Sequence, residues 1–110
     1  FGVVNYCLYI VCMNKVEILK EDSLDNYMNE EHLVVVFTTS GCGKCKLIIP
    51  ELYKAGEHHK IVVVDSDIHV RSMSYYPRGA SFYPTLAYFK EGKFIKTVST
   101  EDIKGKRLWK

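Results

Sequence analysis

The hydrophobic residues of this chain fall into short runs separated by polar turns. Five runs predict β-strands, and they are residues 16–19, 33–37, 61–64, 85–89 and 94–98. The runs at 33–37 and 61–64 contain no polar residue, which is typical of strands buried on both faces of a sheet. The last two runs flank a tight turn that contains Gly92, so they predict an antiparallel hairpin.

The segments between these strands carry apolar residues at spacings of three and four, which predicts helices. The residues expected to face inward are Leu24, Tyr27 and Met28, then Leu47, Ile48, Leu52 and Tyr53, then Val70 and Met73, and finally Leu108 and Trp109. The longest helix is expected from Cys42 to about His58, with a kink at Pro50. Alternating strands and helices predict an α/β fold with a mixed central sheet and helices on both faces.

Composition limits the function classes. With 110 residues, of which 47% are hydrophobic, the chain is long enough to bury a core as one domain. The net charge of +2 comes from interleaved acids and bases, so no basic stripe indicates nucleic-acid binding. Four cysteines are too few for a disulfide-dense secreted scaffold, which favours a redox or incidental use.

The first twelve residues differ from the rest because they are strongly apolar. They are too few to span a bilayer, and three interpretations remain: the end of a signal or anchor segment, an extra edge strand, or an upstream extension. We predict an apolar N-terminal extension at residues 1–12 and a domain at residues 13–110, with Cys7 and Cys12 incidental or paired with each other or across a dimer. We expect a cytoplasmic protein without a membrane span, while the apolar N-terminus leaves a secreted or anchored form open.

The motif Cys42-Gly43-Lys44-Cys45 follows a buried strand and a short turn. Two thiols delivered in this way to the start of a helix are arranged for dithiol–disulfide exchange. The sulfur of Cys42 would lie near unpaired backbone N–H groups, which favour the thiolate. Cys45 lies one turn further in, as expected for the resolving thiol, and Lys44 adds positive charge.

Pro84 opens the fourth predicted strand, where a backbone N–H is normally needed for pairing. The preceding Tyr83 is aromatic, and Tyr83-Pro84 is therefore a candidate cis peptide bond. An ordinary trans proline at a sheet edge remains the alternative when this dipeptide is considered alone.

Taken together, these features resemble the thioredoxin family. They are the buried strand, the CxxC motif at a helix start, Pro50 eight residues after Cys42, and Tyr83-Pro84-Thr85 opening a hairpin. The resemblance implies a thioredoxin-like fold in which Cys42 is the nucleophile and Cys45 is the resolving thiol that attacks the mixed disulfide. It also implies that a cis Pro84 lies beside the sulfurs. Gly41, Gly43 and Lys44 would support the site, and Tyr83 and Thr85 would bind an extended substrate segment by strand addition.

The resemblance also implies an activity. We expect a protein-disulfide reductase that acts on disulfide-containing protein substrates and receives electrons from a reductase or a low-molecular-weight thiol. No cofactor and no metal are expected.

The chain departs from the family pattern near the motif. Thr38 and Gly41 stand where the family has tryptophans, and Lys44 stands where it has proline. Val36 and Val63 stand where the family has a buried aspartate and its partner lysine. Loss of both charges is physically consistent because one unpaired buried charge would cost several kcal/mol, and we expect slower exchange because the aspartate assists proton transfer from the resolving thiol.

Three other interpretations remain. Cys42, Cys45 and His58 have finger-like spacing for zinc, but a second histidine three to five residues later is missing, and we expect His32 and His69 at the surface. A phosphate-binding loop would need glycine at Thr38 and Ser or Thr at Cys45. The serious alternative is a thioredoxin-like binding module in which the CxxC pair is a structural or regulatory disulfide.

Overall fold

The computed structural model describes residues 16–20, 23–55 and 59–103. The predicted extension at residues 1–12, with Cys7 and Cys12, lies outside these ranges, as do His58, Leu108 and Trp109. Within these ranges no helix has both the length and the apolar character needed to cross a membrane.

A five-stranded mixed sheet forms the centre of the molecule. Its strands are β1 (Val16–Ile18), β2 (His32–Thr38), β3 (Lys60–Asp65), β4 (Thr85–Lys90) and β5 (Lys93–Val98). They lie in the order β1-β3-β2-β4-β5. Strands β1, β3 and β2 run parallel, while β4 is antiparallel to β2 and to β5. The predicted α/β architecture with a mixed central sheet is confirmed.

The core lies on both sides of this sheet because the central strands are apolar on both faces. In β2, every residue from Leu33 to Phe37 is buried. Val34 and Val36 pack into one apolar cluster, while Leu33, Val35 and Phe37 pack into the other. A strand without polar alternation is stable only in such a position, since every side chain must leave water.

Two α-helices cover the first face: α1 (Gly43–Ala55) and α2 (Thr100–Ile103). Leu52 and Ile103 are fully buried there, and Ile48 packs against them. The prediction that Leu47 and Tyr53 face inward is wrong, since they are 75% and 40% exposed. A helix that turns Cys45, Ile48 and Leu52 towards the sheet necessarily points Leu47 to the opposite side.

The second face is covered by 3-10 turns at Asp25–Tyr27 and Val70–Tyr75, where the spacing predicts α-helices. Serine, aspartate and asparagine in these segments compete for backbone hydrogen bonds and favour turns. The three-residue repeat of the second turn buries His69 and Ser72 and leaves Val70 64% exposed. The inward position predicted for Val70 is therefore wrong, whereas Met73 packs against the core.

Substitution of Leu52 and Leu47 by alanine tests which face of α1 is buried. We expect Leu52→Ala to lower the free energy of unfolding by about 2–5 kcal/mol, because it leaves a cavity in the core. Leu47→Ala is the matched control and should change it by about 0.5 kcal/mol or less. Urea unfolding measures both, and equal losses would contradict the assigned face.

Candidate active site

The segment between β2 and α1 is tied to the end of β3. The carbonyl of Thr38 accepts a hydrogen bond from the Ser66 N–H at 2.8 Å, and the Thr38 hydroxyl donates to the Val64 carbonyl at 2.8 Å. The Cys42 N–H then donates to the Thr39 carbonyl at 3.3 Å. These bonds close a tight turn that places Cys42 directly before the first residue of the helix.

Asp67 also holds this turn, and its role was missed in the sequence. Its carboxylate accepts a hydrogen bond from the Ser40 N–H at 2.9 Å, and its own N–H donates to the Asp65 carboxylate at 2.9 Å. The hydrogen bonds from Ser40 lower the pKa of Asp67 below its ordinary value. The only signal in the sequence is the pair of aspartates after a buried strand, which equally indicates a helix cap.

Cys42 and Cys45 form a disulfide with their Cα atoms 5.3 Å apart. Cys42 is half-buried at the helix start, whereas Cys45 is only 4% exposed. The Cys45 N–H donates a hydrogen bond to Sγ of Cys42 at 3.1 Å. That sulfur therefore accepts a hydrogen bond from one of the backbone N–H groups that have no partner within the first turn of a helix. This environment favours the thiolate when the disulfide is reduced.

The surface beside Cys42 is open and carries no negative charge from the helix start. Gly41, Gly43 and Lys44 are exposed, and a methyl group placed on either glycine would have no heavy atom within 4 Å. The first turn of α1 contains no acidic residue. A partner can therefore approach the sulfur of Cys42 from this side.

Pro84 lies at the same end of the sheet as the disulfide. Thr85 pairs with Phe37, so Pro84 continues β4 beside the end of β2, and the Tyr83–Pro84 bond is cis. The half-buried ring of Tyr83 stacks on Tyr76, with ring centroids 5.5 Å apart. Within the described part of the chain the backbone of Tyr83 has no hydrogen-bond partner, which leaves it available to an extended segment.

The side chain of Thr85 cannot take the substrate-binding role expected for this residue. It is fully buried, and its hydroxyl donates to the Phe82 carbonyl and lies 3.2 Å from the Tyr76 hydroxyl. Tyr76 also donates to the Phe82 carbonyl at 2.9 Å. These hydroxyls hold the loop that leads into Pro84, so any contact of Thr85 with substrate would be through its backbone.

Two histidines differ from their expected surface positions. His32 is half-buried, with Nδ1 2.7 Å from the Tyr88 hydroxyl. His69 is buried, and none of the described residues gives its Nδ1 a hydrogen-bond partner. Among the described residues, no group of three or more His, Cys, Asp and Glu side chains is arranged to hold a metal ion.

Comparison with known proteins identifies the family. The sequence profile of thioredoxin matches residues 15–108. The thioredoxin of Schistosoma mansoni is 26% identical, with 83% of this chain and 91% of that chain covered and a TM-score of 0.68. The thioredoxin of Malassezia sympodialis is 27% identical, with 76% of each chain covered and a TM-score of 0.60. A mutant thioredoxin of Halobacterium salinarum, at 22% identity, covers 76% of this chain and 74% of its own, and with a TM-score of 0.60 it supports the fold. The chain belongs to the thioredoxin family.

Proposed function

We propose that this protein is a thiol-disulfide oxidoreductase that reduces disulfides of protein substrates through Cys42 and Cys45. The observation that carries the proposal is the half-buried Cys42 at a helix N-terminus, whose Sγ is bonded to the buried Cys45 and accepts a hydrogen bond from the Cys45 N–H. Backbone N–H groups stabilise negative charge on this sulfur, and the second sulfur is close enough to close the ring.

The reaction begins from the reduced dithiol. The Cys42 thiolate attacks one sulfur of the substrate disulfide, which forms a mixed disulfide and releases the other substrate sulfur as a thiolate. Cys45 loses its proton and attacks Sγ of Cys42, which releases the second substrate thiolate and forms the Cys42–Cys45 disulfide. The substrate gains two electrons, and a reductase or a low-molecular-weight thiol returns two electrons to the protein.

Deprotonation of Cys45 is the step in which this chain departs from its family. Val36 and Val63, which replace the family's aspartate and lysine, are direct neighbours across β2 and β3 and are buried. Neither valine can accept a proton, so the proton of Cys45 passes to water or to the leaving substrate thiolate. We therefore expect slower resolution of the mixed disulfide than in relatives that keep the charged pair.

The substrate would approach over Pro84. The unpaired backbone of Tyr83 would pair with an extended segment next to the substrate disulfide, while Gly41 and Gly43 leave room for the chain. We place this exchange in the cytosol, where reducing systems regenerate dithiols.

Substitution of each cysteine by serine tests the two roles. Cys42→Ser should abolish reduction of a protein disulfide by a dithiol donor, because the attacking sulfur is gone. Cys45→Ser should instead accumulate a mixed disulfide, because attack still occurs and resolution does not. Turnover is measured with a protein disulfide as substrate, and the trapped mixed disulfide is detected by mass spectrometry. Sustained turnover by Cys42→Ser would refute the proposal.

The reduction potential distinguishes an exchanging pair from a structural disulfide in a binding module. We expect a potential between about −270 and −180 mV, the range of thiol-exchange proteins of this kind, whereas a structural bond lies below about −300 mV. Equilibration with glutathione or dithiothreitol buffers measures it. A value in the structural range would favour the binding module.

Lys44 should tune the ionisation of Cys42. A nearby positive charge favours the thiolate over the thiol, so in Lys44→Ala the thiolate of Cys42 should form at a higher pH than in the wild-type protein. The ultraviolet absorbance of the thiolate, followed in a Cys45→Ser background, reports it. Lys90→Ala, at the far end of β4, is the control, and equal shifts in both variants would contradict a local effect.

A further inference from the structure

A second concave surface lies between residues 74–82 and strand β5. It consists of two adjoining clefts of about 410 and 350 Å³, which share Pro77, Arg78 and Phe94. We name the two clefts together the β5 groove. The redox chemistry proposed above does not use it.

The walls of the β5 groove are aromatic and held in place by ring contacts. Phe94 meets the buried Phe89 edge-on with ring centroids 5.8 Å apart, and Tyr75 meets the same ring at 6.1 Å. Phe82 and Phe94 are nevertheless 55% and 44% exposed. Large apolar side chains that are exposed along a preformed cleft are typical of a binding surface.

The charge of the groove is positive. Arg78 lines both clefts and is exposed, and it has no acidic partner among the described residues. Lys96, which is also exposed, lines the second cleft. A guanidinium presents a planar set of donors that matches a carboxylate, so the complementary ligand carries an acidic side chain beside an apolar one.

The groove begins in the loop that leads into Pro84 and runs along β5 towards the hairpin turn. Phe82, at one end, is two residues before Pro84, and Gly92, at the other end, lies in the hairpin turn. Strand β5 from Thr97 back towards Gly92 covers five residue steps, or about 16 Å at the rise of a strand. That length accommodates about five residues of extended chain.

We propose that the β5 groove binds a segment of the protein substrate that flanks the disulfide to be reduced. The segment is extended, places a large apolar side chain against Phe82 and Phe94, and places an acidic side chain at Arg78. The identity of this partner as the redox substrate rests on the proposed function, whereas binding of an acidic, apolar segment rests on the groove alone.

Three synthetic peptides test the proposal. Each contains one intramolecular disulfide and a five-residue tail with a phenylalanine, and the tails differ only in carrying glutamate, glutamine or lysine around it. The reduced full-length protein is assayed on each peptide, and the rate is divided by the rate on a small aromatic disulfide without a tail, which reports folding and redox competence.

The wild-type protein should reduce the acidic peptide about five- to tenfold more efficiently than the lysine peptide, through a lower KM, with a difference that shrinks as salt is added. Arg78→Glu should remove or reverse this preference. Lys90→Glu changes charge equally on the same hairpin outside the groove, and it should keep the preference. Equal reduction of all three peptides, or equal effects of the two variants, would overturn the proposal.

Direct binding separates this proposal from the proposed function. Fluorescent acidic and basic tails without cysteine are titrated with the oxidised protein, and the acidic tail should bind more tightly in the wild-type protein than in Arg78→Glu. If this difference appears while the small disulfide is not reduced, the groove stands and the reductase assignment fails. If reduction is normal but neither tail binds, or if Arg78→Glu only alters self-association, the groove proposal fails.

Discussion

The complete burial of strand β2 is the constraint on which the rest of the structure depends. Its residues from Leu33 to Phe37 are shielded on both faces, and the strand is paired along both edges, with β3 and β4. A slip by one residue would exchange the two faces and disrupt both apolar clusters, so the register is strongly specified. That register places the end of β2, from which the turn to Cys42 departs, beside the start of β4 at Pro84.

The same register explains why two valines are compatible with positions where the family resemblance implies a buried charged pair. Val36 and Val63 are opposite each other in the parallel ladder, so a charge at one position would need a counter-charge at the other. Replacing both partners with packed apolar side chains is often neutral or stabilising, whereas replacing one is strongly destabilising. Two packed valines keep this part of the core intact, and neither side chain can accept a proton, which is the basis of the slow resolution expected in the proposed mechanism.

The residues near the CxxC motif and near Pro84 differ in character. A side chain at Gly41 or Gly43 would meet no heavy atom within 4 Å. The rings of Tyr76 and Tyr83 stack in the segment before Pro84, and Phe82 in the same segment lines the β5 groove. Asp67 contributes differently, since its hydrogen bond to the Ser40 N–H fixes the turn that leads to Cys42.

The sequence by itself determined the five strands, the hairpin and the position of the CxxC motif at a strand-to-helix junction, because long apolar runs and a tight glycine turn restrict the chain locally. It also indicated which cysteine is outermost, since that follows from position along a helix. Only the tertiary structure decided that Leu47 is exposed, that the segment around Val70 forms a 3-10 turn and that the Thr85 hydroxyl is internal. It alone brought Asp67 to Ser40 and assembled Phe82, Arg78 and Phe94 along one groove. These features depend on contacts between residues distant in sequence or on small differences between helix types, and local periodicity contains no information about either.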